Sequence, residues 1–105
     1  MLSKRDIEII KNYHDNVILI STLQQQIAWN QRHGLPVISL SARVADLKRQ
    51  LLQFEDILDT INDRQARNII CCRFVLRMNN RQVAEVMLIH RNTVAKKLAS
   101  VMMEQ

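Results

Sequence analysis

From Asn80 to Leu98 the chain reads NRQVAEVMLIHRNTVAKKL, and the apolar residues of this run recur at spacings of three and four. Val83, Ala84 and Met87 share one face of a first short helix. Val94, Leu98 and Val101 share one face of a second. The small side chain of Ala84 suits a steep crossing of two helices, and Ile89 can plug the turn between them. The remaining face of the second helix holds Arg91, Asn92, Thr93, Lys96 and Lys97, with no acid before Glu104. Such side chains bond phosphates and base edges, so the run predicts a helix-turn-helix whose second helix reads DNA.

Working backward, Asn79 with Gln82 forms a capping pair for the first of these helices. A preceding helix is predicted from about Asp63 to Leu76. It turns Ala66, Ile69, Ile70, Cys72 and Phe74 inward, and Arg64, Arg67, Arg73 and Arg77 surround them. Cys72 is expected to be the more buried of the adjacent pair Cys71 and Cys72, and neither to be catalytic. Met87, Met102 and Met103 read as core filler. The capping-rich run from Asp59 to Asp63 marks a junction between residues 1–58 and 59–105.

The first part reads as two long helices. Ser3 and Asp6 are a capping pair, and the periodicity continues to His33, where Gly34 can end the helix and Pro36 prevents its continuation. Ile10, Tyr13, Val17, Ile20 and Ile27 form a seam with Gln24 as its polar, register-setting member; Ile9, Leu23 and Trp29 lie outside it. A second helix, capped by Ser39, carries Leu40, Val44, Leu47, Leu51, Phe54 and Leu58 at alternating spacings of four and three. The short link between the two predicts an antiparallel hairpin with coiled-coil character. Its stripes can bury within one chain or pair two chains, and the limited core of a two-helix unit leads us to expect a homo-oligomer, a dimer, formed through residues 1–58.

The stretch from about Ile57 onward resembles region 4 of bacterial sigma factors and, more closely, the phage late-operon transcription regulators of the ArpU and RinA type. The matching residues are Ile57, Ile61, Arg64, Arg67, Ile69, Ile70, Arg73, Phe74, Gln82, Val83, Ala84, Met87, Ile89, Arg91, Thr93 and Val94. Three positions depart from the family pattern. Leu88 stands for the turn glycine, His90 for the serine cap, and Arg77 for a glycine common in sigma factors. A leucine in a left-handed turn costs on the order of 1 kcal/mol, so a reshaped turn is expected rather than a lost one. The resemblance implies an all-α fold and control of late operons through promoter DNA, with RNA polymerase as a further partner.

Composition narrows the function classes. Of 105 residues, 48% are apolar, while Gly and Pro occur once each, which favours long helices and no sheet. The net charge is +5, and its distribution is uneven. Up to Asp59, seven basic and seven acidic residues cancel; beyond it, eight basic residues face only Asp63, Glu85 and Glu104. A single glycine excludes a glycine-rich phosphate loop, and the cysteines and three histidines lack metal-ligand spacing, so no cofactor, no metal and no enzymatic activity are expected. Adjacent cysteines on a helix cannot form an ordinary disulfide. With no membrane-spanning run and no signal-like start, the expected location is the cytoplasm of a bacterial host.

The functional expectation is therefore a sequence-specific DNA-binding transcription regulator of phage or mobile-element type, with double-stranded DNA as partner. Arg91, Asn92 and Lys96 would face bases, Thr93 and Lys97 phosphates, and Arg77 and Arg81 the backbone beside the groove. His90 would cap the recognition helix weakly or face solvent. Two other readings use the same fold differently: a protein-interaction module acting on RNA polymerase or a regulator, and a phage DNA-packaging subunit.

Overall fold

The computed structural model describes residues 2–102, so the expectations for Met103 and Glu104 lie outside the described residues. Five helices and no strand make up this part of the chain: α1 (Lys4–Arg32), α2 (Ile38–Asp59), α3 (Arg64–Ile70), α4 (Asn80–Met87) and α5 (Arg91–Met102). No helix among them is long and apolar enough to cross a membrane. The 29-residue α1 sets the long dimension of a molecule measuring 55 × 28 × 19 Å.

Helix α1 starts where the capping pair predicts. Asp6 N–H donates to Ser3 Oγ at 3.1 Å, and Ser3 N–H donates to the Asp6 carboxylate at 3.2 Å. It ends at Gly34, whose φ of +69° allows Leu35 N–H to reach back to Asn30 O at 2.8 Å. The same tight link starts α2 earlier than expected. Ser39 is not its cap: the helix begins at Ile38 behind Val37, which offers no side-chain acceptor. Asn30 Nδ2 holds Pro36 O at 3.1 Å, and the chain therefore turns into helix directly after the proline.

The two long helices pack antiparallel, as Tyr13 against Phe54 and Asn16 against Gln50 show. The seam on α2 is the predicted one, with Val44, Leu47 and Phe54 buried. On α1 it is shifted by one residue over its middle. Tyr13, Asn16, Ile20, Leu23 and Ile27 face α2, whereas Val17 is 41% exposed and Gln24 is exposed. This register puts Leu23 inside in place of Gln24. The polar member becomes Asn16, satisfied by Nδ2 donating to Gln50 Oε1 at 3.1 Å.

At its lower end the hairpin merges with the C-terminal helices. One cluster joins Ile7, Ile10, Phe54 and Ile57 to Ile61, Ala66 and Ile70, with Phe74, Leu98 and Val101 packed on it. Asp63 caps α3, accepting from Ala66 N–H at 3.2 Å. The final turn of that helix widens into a π turn over Cys71–Val75, where Leu76 N–H donates to Cys71 O at 3.1 Å. Cys71 and Cys72 are both half-buried, so the expected difference between them is not marked. Burial and the neighbouring Cys72 raise the Cys71 thiol above its ordinary value, which disfavours a reactive thiolate.

Candidate nucleic-acid interface

Helices α4 and α5 stand on a second cluster formed by Ile69, Val83, Ala84 and Val94, with Met87 and Ile89 packed against it. Leu98 touches both clusters and ties α5 to the body of the molecule. The start of α4 is closed by the predicted reciprocal cap: Gln82 N–H donates to Asn79 Oδ1 and Asn79 N–H to Gln82 Oε1, both at 2.9 Å. Arg73 braces this entrance, because its guanidinium donates to Met78 O at 2.7 Å while lying 5.6 Å from the Phe74 ring centre.

The turn between α4 and α5 keeps the geometry that a glycine ordinarily supplies. Leu88 sits at φ 56° and ψ 43°, and Ile89 N–H returns to Ala84 O at 3.1 Å. The Leu88 side chain is 91% exposed and therefore makes little packing that could offset the strain. Arg77 is the other non-glycine residue with positive φ, at 60°. Leu88 and Arg77 thus both hold the left-handed backbone that glycine adopts most readily. His90 closes the start of α5: its Nδ1 accepts from Asn92 N–H at 3.0 Å, and its carbonyl accepts from Thr93 N–H at 2.9 Å.

These contacts orient α5. Val94 is fully buried, so the opposite side of the helix presents Asn92, Ala95, Lys96 and Ala99 to solvent, with Arg91 exposed at its N-terminal edge. No acidic residue lies in this helix. Arg91 shares a surface crevice between α4 and α5 with Arg81, Glu85 and His90. Arg81 Nε lies 3.4 Å from Glu85 Oε1, an exposed pair of little energetic weight.

Of the seven residues singled out in the sequence, Arg91, Asn92, Lys96 and Arg81 are brought to this accessible side, while the other three are placed differently. Thr93 is half-buried on a flank. Lys97, on the same flank, is ion-paired with Asp63 at the start of α3. Arg77 is directed to α1, where it lies 4.0 Å from Asp15. Asp63 is the participant that sequence reasoning missed as a partner of α5. It was legible as a cap, but nothing in local periodicity relates it to a lysine 34 residues away. The Lys97 ammonium and the Ala66 N–H hold its carboxyl below the usual carboxylate value.

No group of three or more His, Cys, Asp or Glu side chains gathers as a metal site among the described residues. Comparison with family models, with curated proteins and with solved structures finds no match for this chain.

Proposed function

We propose that this protein is a sequence-specific DNA-binding transcription regulator of phage or mobile-element type, acting in the cytoplasm of a bacterial host, with α5 entering a major groove of double-stranded DNA. The observation that carries this reading is the solvent face of α5: Asn92 and Lys96 one turn apart, Arg91 at the N-terminal edge, alanines between, and no acid. Arg91 and Lys96 can donate to guanine, Asn92 can pair with adenine N6 and N7, and Ala95 and Ala99 leave room for the helix backbone to approach. Arg81 and Thr93 serve phosphates at the edges. Lys97 is a weaker phosphate ligand than its position in the sequence suggests, because DNA must compete with Asp63 for it. RNA polymerase and a second copy of the chain are the protein partners this reading brings with it.

Selection from random duplexes at physiological salt should recover a preferred sequence. The logarithm of affinity should fall linearly with that of salt, by roughly 0.9 for each phosphate neutralised. Arg91→Ala and Asn92→Ala should each cost about 1–3 kcal/mol on that sequence and relax its preference. Recovery of no preferred sequence, with affinity unchanged in both variants, would overturn the assignment.

A second reading, a module that docks on RNA polymerase or another regulator, draws on a separate observation. Leu76, Val86 and Leu88 are 61%, 62% and 91% exposed, apolar surface that DNA does not require. Under that reading Val86→Asp and Leu88→Asp abolish capture of polymerase, whereas Arg91→Ala does not.

A further inference from the structure

The stripes that suggested self-association are used within one chain, since Val44, Leu47 and Phe54 pack against α1. A different face of α2 remains open. Leu52 points away from α1 and is 61% exposed, and Lys48, Arg49, Glu55 and Asp56 around it are all exposed. At about 100° per residue, Lys48 and Glu55 fall roughly 40° and 60° to one side of Leu52, and Asp56 and Arg49 fall the same amounts to the other. Each flank therefore has a base one turn before the leucine and an acid one turn after it.

That pattern is complementary to itself when reversed. We propose that a second copy of this chain occupies the face, α2 lying antiparallel to α2 with the two-fold axis beside Leu52. A two-fold axis keeps each flank on its own side of the seam while inverting helix direction. Lys48 then meets Glu55 of the second copy, Arg49 meets Asp56 of the second copy, and both contacts repeat by symmetry around a Leu52–Leu52 centre. A parallel pairing would set base on base and acid on acid, so charge selects the antiparallel arrangement. Among the described residues Lys48, Glu55 and Asp56 make no ion pair. Arg49 has only an exposed one to Asp46, at 3.4 Å, which leaves all four groups able to engage a partner. Ala45, two turns before Leu52, keeps the seam free of a bulky obstacle.

The proposal names the surface behind the self-association stated above and does not depend on DNA binding. The interface is small and rich in exposed charge, so a salt-sensitive dimer is expected, with a dissociation constant of about 10–100 µM. Sedimentation equilibrium on the full chain over roughly 10–300 µM, at low and high salt, tests it. The double variant K48E/R49E makes the face wholly acidic, and E55K/D56K makes it wholly basic. Each alone should weaken dimerisation at least about tenfold, and an equimolar mixture should recover a dimer within about threefold of wild type. All four positions are exposed, and unchanged helical circular dichroism in each variant establishes that it has folded. A wild-type monomer over the whole range would overturn self-association itself. A dimer that persists equally in both separate variants would leave self-association standing and overturn this face.

Discussion

The hairpin and the C-terminal helices are built from opposite uses of charge and burial. In residues 1–59 acids and bases cancel, and the ion pairs within this half, Asp46 with Arg43 and Arg49, lie on exposed helix surface. In residues 60–105 eight bases face three acids, and three of the bases reach groups outside their own helix: Lys97 meets Asp63, Arg77 meets Asp15, and Arg73 meets the Met78 carbonyl. The cores differ correspondingly. The far end of the hairpin has its own cluster of Ile20, Val44 and Leu47, while its near end shares a core with α3 and α5. A long amphipathic pair can bury a stripe by itself. Three short helices bury only the small cluster of Ile69, Val83, Ala84 and Val94 among themselves and also pack on the base of the hairpin.

Removing core volume from each side tests that division and has the largest expected effect. Leu47→Ala and Ile70→Ala should each destabilise the fold by about 2–5 kcal/mol in chemical denaturation. Hydrogen exchange should separate them: Leu47→Ala should release mainly the far ends of α1 and α2, whereas Ile70→Ala should release α5 and the base of the hairpin together. Equal loss of protection throughout in both variants would show that the clusters of Leu47 and Ile70 act as one cooperative unit.

A smaller effect concerns the two strained residues of the C-terminal half. Leu88→Gly should stabilise the protein by roughly 0.5–1 kcal/mol, because relief at φ 56° exceeds the added freedom of the unfolded glycine and an exposed side chain gives up little packing. A lower melting temperature would show that the Leu88 side chain contributes contacts worth more than its strain. Gly34 performs the same backbone task in the hairpin at φ 69°. The hairpin uses the residue suited to that backbone, while the C-terminal half uses a bulky apolar one in an exposed turn.

The smallest effect is electrostatic. Asp63 is the carboxylate whose value is depressed by Lys97 and the α3 backbone, so its contribution favours the folded state above the ordinary carboxylate value and fades as pH falls through the lower folded one. Denaturation at about pH 7 and about pH 3 should show that Asp63→Asn is less stable than wild type at the higher pH and that the gap narrows at the lower one. A gap that does not depend on pH would assign the residue's contribution to capping alone.

Much of this organisation was legible from local patterns. The Ser3–Asp6 and Asn79–Gln82 caps, the Gly34 stop and the α2 seam depend on residues three or four apart, and a helix brings such residues together whatever surrounds it. The identity of α5 as a basic helix with one apolar stripe was legible for the same reason. The α1 seam was not, because its apolar residues fit two registers one residue apart; contact with α2 chose the one that buries Leu23 and pairs Asn16 with Gln50. The places of Lys97 and Arg77 were likewise beyond local reading. Their partners Asp63 and Asp15 are distant in the chain, and only packing of α5 on α3, and of the π turn on α1, brings those charges within reach. Periodicity determines which side of a helix is apolar, whereas the groups that meet its polar flanks are set by where the neighbouring helices come to rest.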